Sequence, residues 1–332
     1  MKCVAGQIWQ PDGSFRKGWI LHDGSSIVDA GDGHPPEVPE AVGEVVPAFC
    51  DAHTHVGDHA LRGALLHGKT LHEVVAPPDG LKHRLLRETP PDRLLLGMRD
   101  ALHELAAGGA AWCADFREQG VAGVQMLARA AEGAATRPIA FGRCAGAWND
   151  EEAKLVLQHA DGLGLSGLGD VQGDVPERAA ATARAAKKRF ALHLSEEKRE
   201  DMLRALALRP DFLVHAVAAT KADLRAAADA CVPIVVCPRS NAIFGRVPPV
   251  GDMLAAGVTV ALGSDNAMFH PLGVLRDAEM LSSSVPREAL MRMLIVNGRV
   301  ALGLPAPTLA KGNPAAFAVL SGWRCVHAHL PA

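Results

Sequence analysis

From about residue 48 the chain alternates two kinds of segment. Short apolar runs fall at Val46–Ala52, Ala110–Asp115, Ile139–Cys144, Gly162–Leu165, Phe190–Leu194, Phe212–His215, Pro233–Cys237 and Thr259–Leu262. They are near-continuously apolar rather than alternating, the pattern of strands buried on both faces. Between them Ala, Leu, Arg and Glu recur at helical spacing over Pro91–Ala107, Val121–Gly133, Glu151–His159, Pro176–Lys188, Glu197–Leu208, Lys221–Cys231 and, last, Pro286–Leu302. Pro176 sits where a first-turn proline is tolerated, and Ser195 and Thr220 stand where N-caps belong. Strands that are each followed by a helix imply a parallel sheet covered on its outside. Eight such units in roughly 250 residues predict an α/β fold of the (β/α)8 TIM-barrel type. A doubly wound open sheet fits less well, because no Gly-rich phosphate loop follows the first strand. The Gly57–Thr89 connection is long and contains Pro77-Pro78-Asp79-Gly80, so part of it is loop, expected over the barrel mouth.

The two ends read differently. Cys3–Trp9, Gly18–Gly24 and Ser26–Gly31 are strand candidates bounded by Gly and Asp, and the Pro-rich stretch His34–Pro39 is a linker. Near the C-terminus, after the breaker Leu304-Pro305-Ala306-Pro307, strands are expected at Ala315–Leu320 and Cys325–Ala328. The expected organisation is a small β-domain from residues 1–47 and 305–332, flanking a barrel over residues 48–304.

Composition narrows the function. Hydrophobic residues make up 48% of 332 and charged residues 21%, with a formal net charge of -3. That balance disfavours a nucleic-acid or anionic-membrane partner held by bulk charge. No apolar stretch approaches the ~18 residues of a membrane span. The N-terminus lacks a signal-peptide core, and a cytoplasmic location is the expectation. The seven cysteines include no Cys-x-x-Cys pair. Zinc ribbons, thioredoxin-like chemistry and deaminases marked by Pro-Cys-x-x-Cys are thereby excluded, and the cysteines read as buried thiols.

The candidate chemistry lies at the strands' carboxyl ends, where barrels of this type carry it. The first strand ends in His53-Thr54-His55, whose i and i+2 side chains share a face. The fifth ends in His193 with Glu196 three residues on, the sixth in His215, and the eighth in Gly263-Ser264-Asp265-Asn266. Each residue alone has an ordinary structural explanation. Together, imidazoles and a carboxylate converge on one point and leave a position for water, the make-up of a catalytic metal site. Arg117, Arg143 and Arg239, beyond the second, third and seventh strands, and Asn266 are candidates to hold a substrate carbonyl, carboxylate or phosphate.

The motifs Pro47-Ala48-Phe49-Cys50-Asp51-Ala52-His53-Thr54-His55, His193-Leu194-Ser195-Glu196, Val214-His215, Cys237-Pro238-Arg239-Ser240-Asn241, Gly263-Ser264-Asp265-Asn266 and Val296-Asn297-Gly298 resemble the amidohydrolase superfamily. The likeness is to its adenosine deaminase, cytosine deaminase and chlorohydrolase branch, over nearly the whole chain. The resemblance implies one divalent metal, zinc or alternatively iron, held by His53, His55, His193 and Asp265. It makes Glu196 the proton shuttle and His215 a hydrogen-bond donor to the attacking water or the developing oxyanion. Gly164-Leu165-Ser166-Gly167 stands where two-metal members carry a bridging lysine, so one metal is expected. Three departures stand out: Ala48 for glycine, Asn313-Pro314-Ala315-Ala316 near the C-terminal strand, and Ala216 where many relatives carry a second histidine.

The expected activity is hydrolytic deamination of an N-heterocycle, a purine, pyrimidine, nucleoside or related small molecule. One alternative keeps the site but changes the leaving group, to an amide or a substituted triazine-like C–N or C–Cl bond. Another is a barrel that binds a small ligand without turnover. A homodimer is an expectation at the level of the family.

Overall fold

The computed structural model describes residues 1–331. Two sheets organise it. The first contains β1 (Lys2–Trp9), β2 (Phe15–His22), β3 (Ile27–Asp32), β4 (Ala41–Pro47), β14 (Phe317–Ser321) and β15 (Arg324–His329), in the order β15-β14-β4-β1-β2-β3. Both chain ends thus share one sheet. Antiparallel pairing of β14 with β4 brings Phe317 opposite Pro47, and Val4, Ile8, Ile20, Ile27, Val45, Phe317 and Val319 close the core on its inner side.

The second sheet is parallel and carries the site. Its strands are β5 (Phe49–His55), β6 (Ala110–Arg117), β7 (Arg137–Gly142), β8 (Gly162–Leu165), β9 (Arg189–Leu194), β10 (Phe212–His215), β11 (Ile234–Val236), β12 (Val260–Leu262) and β13 (Asp265–Asn266). The order β12-β11-β10-β9-β8-β7-β6-β5-β13 makes the sheet TIM-barrel-like. One short segment, Val260–Asn266, bonds to both of its ends. Val260 to Leu262 pair with β11, while Asp265 and Asn266 pair with Thr54 and His55 of β5. Between them the buried Asp51 carboxylate accepts from the Ser264 amide (2.9 Å) and hydroxyl (2.5 Å). Gly263 allows the approach, since a Cβ there would lie 2.7 Å from that of His53.

Helices cover the outside. In chain order they are α1 (Leu71–Val75), α2 (Leu81–Glu88), α3 (Pro91–Ala107), α4 (Gly120–Ala131), α5 (Asp150–His159), α6 (Val175–Ala185), α7 (Met202–Ala207), α8 (Lys221–Asp229), α9 (Pro238–Ile243), α10 (Val250–Ala255), α11 (Val274–Leu281), α12 (Arg287–Arg292) and α13 (Gly298–Ala301). A π-helical turn, Met293–Asn297, joins the last two. There Asn297 Nδ2 donates to the Val260 carbonyl at 2.7 Å. A Cβ on Gly298 would sit 2.9 Å from the Cys50 carbonyl oxygen, so this helix packs directly under β5.

Three expectations need correction. The run Val46–Ala52 is not one strand. Pro47 ends β4, the Ala48 amide turns to the Ala316 carbonyl (3.1 Å), and the Phe49 amide turns to Gly109 (2.8 Å), handing the chain from one sheet to the other. Residues 197–201 are not helical, and Ser195 is not an N-cap. Ser195 is left-handed (φ 53°), and its amide and hydroxyl are tied to Glu200 at 2.7 and 2.9 Å. Asp201 caps α7 instead, accepting from the Arg204 amide, whereas Thr220 does cap α8, in a capping box with Asp223. Lastly, not every cysteine is buried: Cys231 is exposed and Cys325 half-buried, and all seven are free.

Overpacking at a tight backbone approach costs about 1–3 kcal/mol. Gly263→Val should therefore lower the thermal midpoint by several degrees, read by circular dichroism. A midpoint equal to that of the parent would show that the β12–β13 segment has room to retreat.

Candidate metal centre

Period-two geometry on β5 sends His53 and His55 to the same end of the sheet, with ring centroids 4.9 Å apart. Across the lumen His193 rises from β9, and its Nε2 lies 3.2 Å from His53 Nε2. From β13 comes Asp265, whose Oδ1 is 3.2 Å from His53 Nε2 and 3.6 Å from His55 Nε2. His215 ends β10. Its Nε2 is 3.4 Å from Glu196 Oε1, and its Nδ1 faces Asn241 Nδ2 at 3.3 Å. Asn241 also donates to Glu196 (3.3 Å), and its neighbour Ser240 donates its hydroxyl to Asp265 Oδ2. Backbone strain gathers at these strand ends. His215 (φ 74°), Ala216 (φ 51°) and Asp265 (φ 61°) are all left-handed, a conformation non-glycine residues hold only where their surroundings impose it.

The donor set fits a divalent metal. Donors about 2.0–2.1 Å from a tetrahedral zinc ion stand about 3.3–3.4 Å apart, close to the separations of His53 from His193 (3.2 Å) and of Asp265 from His53 (3.2 Å) and His55 (3.6 Å). The ring tautomers agree with this. His193 Nδ1 lies 2.7 Å from the Leu165 carbonyl and His55 Nδ1 lies 3.0 Å from that of Phe116. A carbonyl can only accept, so His193 Nδ1 carries the proton; at His55 Nδ1 two acceptors, the Phe116 carbonyl and Glu118 Oε1 (3.2 Å), outweigh the Lys82 ammonium (3.1 Å), and in both rings Nε2 presents a lone pair inward. Burial and then neighbouring positive charge disfavour protonation. His55 is pushed down to about 3, and His193 well below its ordinary value. The two carboxyls diverge. Burial opposes ionisation of both. The His53 hydrogen bond and the surrounding imidazoles nevertheless hold Asp265 well below the usual carboxylate range. Glu196 is raised well above it by burial and by the Asp265 charge. Cys237 lies within reach of His215 and Asp265, but burial pushes its thiol far up, so it stays protonated.

Behind His55 lies a cluster that sequence reasoning missed. Lys82 of α2 places Nζ 2.6 Å from Glu118 Oε1, 2.9 Å from Asp58 Oδ2 and 3.1 Å from His55 Nδ1. Burial alone would lower Lys82, but the two carboxylates raise it, so it remains an ammonium. Arg117 does not face substrate. It is 1% exposed, with Glu118 at 2.6 Å, Asp115 at 3.3 Å and Asp58 at 3.8 Å. Alternation along β6 explains the correction. Phe116 packs into the lumen against His53, with centroids 4.6 Å apart, so Glu118 shares its face and Arg117 takes the other. That alternation was the available signal for Glu118. Arg239 likewise turns away, bound to the Asp277 carboxylate at 2.8 and 2.9 Å and to the carbonyls of Pro271 and Gly273. Arg143 and Asn266 do line the cavity. They do so with Leu71, Val75, Lys82, Glu118, Ser166, Asp170 and Phe269, beside His55, His193, Glu196, His215 and Asp265. His83, which reads from sequence as surface or structural, lines it too.

The amidohydrolase family model matches residues 45–330. The chain belongs to the amidohydrolase family. As a member it is an enzyme, a hydrolase acting on carbon–nitrogen bonds. Among amidohydrolase relatives, a putative aminohydrolase of Methanothermobacter thermautotrophicus is 30% identical over 287 residues, 80% of this chain and 74% of that protein. A 5-methylthioadenosine/S-adenosylhomocysteine deaminase of Halobacterium salinarum is 36% identical over 127 residues, 35% of this chain and 30% of the deaminase. The fold is similar to that of atrazine chlorohydrolase TrzN from Arthrobacter aurescens complexed with zinc, with TM-score 0.73 and 21% identity over 96% of this chain and 86% of the other. Among the described residues no helix is long and apolar enough to cross a membrane.

Acid should destabilise the metal-free amidohydrolase fold. Burial, and then Lys82, push His83 down to about 4. A histidine with a folded pKa below its unfolded value of about 6.5 binds fewer protons folded than unfolded. Its stabilisation is complete above pH 6.5 and is lost as pH falls toward 4. Urea midpoints should drop across that window, and less steeply in His83→Gln. A variant slope equal to the parent's would remove His83 from the explanation.

Proposed function

We propose that this amidohydrolase is a metal-dependent hydrolytic deaminase that releases ammonia from an N-heterocycle. One observation carries the reading: His55, His193 and Asp265, three of the donors grouped for a divalent metal, line one cavity with a second carboxyl, Glu196, which stands outside the set and whose burial, with the Asp265 charge beside it, favours its protonated form. Paired carboxyls with diverging proton affinities mark acid and base roles. The names of the relatives, an aminohydrolase and a deaminase, point the same way. We infer further that β12 and β13 are one interrupted eighth strand. Residues 48–304 then form a (β/α)8 catalytic barrel, and residues 1–47 and 305–332 a small β-domain.

His53, His55, His193 and Asp265 would hold one metal, with zinc the ion the nitrogen and oxygen donors suit. When bound, the metal supplies Lewis-acid activation of water, whose pKa drops from about 15.7 to about 7. The protein's own groups do the rest. Asp265 takes the proton of the attacking water. Water adds to the ring carbon that bears the amino group. Glu196, held by Asn241 beside His215, protonates the adjacent ring nitrogen. Asp265 returns the water's proton to the amino group, which departs as ammonia while the tetrahedral hydroxyl collapses to a carbonyl and its proton restores Glu196. General acid–base help of this kind contributes about 10²–10⁴-fold. His215 Nε2 donates to the oxygen that gains charge at the tetrahedral stage. Arg143 and Asn266 are the groups we assign to substrate contact.

Glu196→Gln should retain stoichiometric metal by elemental analysis yet lose about 10²–10⁴-fold in turnover, whereas His193→Ala should lose the metal. Ammonia release by the wild-type enzyme should appear within a panel of nucleobases, nucleosides and pterins. Full turnover by Glu196→Gln, or a panel without ammonia, would overturn the proposal.

A further inference from the structure

Lys82 belongs to none of the motifs above, yet it is 3% exposed and reaches a residue assigned to the metal. It comes from α2, inside the connection between β5 and α3. Of the polar side chains on that helix, His83, Arg84 and Arg87 bond within the connection, to the carbonyls of Val75, Asp79 and Pro78. Lys82 ion-pairs with Asp58 within the connection and alone among these also reaches outside it, to Glu118. Among the described residues neither Asp58 oxygen meets hydrogen-bond geometry, so its closest compensation is the Lys82 ammonium, ion-paired at 2.9 Å. Glu118 is gripped from both sides, its Oε2 by Arg117 and its Oε1 by Lys82. So clamped, Oε1 stands 3.2 Å from His55 Nδ1. An imidazole that faces a metal through Nε2 is oriented by what its Nδ1–H meets, and here Glu118 shares that role with the Phe116 carbonyl.

We propose that Lys82 is a positioning residue of the metal centre: reaching out of the residue 57–89 connection, it fixes Glu118 against His55 and so orients a metal ligand. The proposal rests on the assignment of His55 as a ligand. A lysine serving only to neutralise buried acids would affect stability without affecting the metal.

The test measures zinc affinity by competition with a chromophoric chelator, together with the visible spectrum of the cobalt-substituted protein. Lys82→Met should weaken zinc by about 10- to 100-fold and alter the cobalt bands, the range typical of lost outer-shell partners. Glu118→Gln should do the same, and the double variant should be no worse than the weaker single one. Arg87→Ala, which cuts a tie within the connection only, should speed proteolysis of residues 57–89 while leaving zinc affinity unchanged. Parental affinity and spectrum in Lys82→Met overturn the proposal, as does an equal loss in Arg87→Ala. If Lys82→Met does not fold, Glu118→Gln decides, and parental affinity there overturns it. A wild-type protein that takes up no zinc overturns the reading of the site, and this proposal with it. Zinc uptake without ammonia release overturns the deaminase reading alone.

Discussion

The pairing of β5 with the Val260–Asn266 segment is the constraint on which the site depends. His53 and His55 stand on one partner and Asp265 on the other, so nothing but this pairing brings carboxylate and imidazoles within about 3.5 Å of each other. The tie is made by a buried acid. Asp51 is pushed up to about 7 by burial, against the hydrogen bonds from Ser264 that favour its ionised form. Such a group is tolerated where its geometry is needed. Gly263 below it removes the side chain that would hold the strands apart, and Asn297 and Gly298 press the closing helix against the same seam. Residues scattered through the sequence motifs thus serve a single join.

Around that join the polar groups form two shells. The inner one supplies lone pairs. The outer one, comprising the Leu165 and Phe116 carbonyls, Ser240, Asn241 and Glu118, decides which way each inner group points. Left-handed backbone at His215 and Asp265 shows the same priority. Local conformational preference yields there to the placement of a side chain, a common conflict between local and global structure at functional sites.

What the sequence disclosed follows from this. His53, His55, His193, His215 and Asp265 were legible because each ends an apolar run, and the carboxyl ends of parallel strands converge in space. Strands such as Gly162–Leu165 and Phe212–His215 were legible to the residue, the first because Asp161 and Ser166 bound it and the second because Asp211 precedes it and its own His215 closes the apolar run. Ser195 was misleading because Ser-Glu-Glu resembles a helix start, while its backbone is bent by Glu200, a partner five residues on. Arg117 misled because a charged residue past a strand end seems bound for the mouth, although alternation from Phe116 turns it outward. Lys82 carried no signal at all. Its place depends on the path of a connection whose packing, Leu61, Val74, Leu86, Leu94 and Met268, has no periodicity to read.

The seam between β5 and the Val260–Asn266 segment also sets a timetable. Asp51 and Ser264 are 213 residues apart in sequence, and the donors we propose for the metal span almost the same interval. During synthesis the first two donors leave the ribosome long before the last. No early fragment holds the complete ligand set, and the long-range closure that completes it belongs to the slow class of folding events. On the proposed ligand set, full-strength metal capture would therefore be a property of the finished chain.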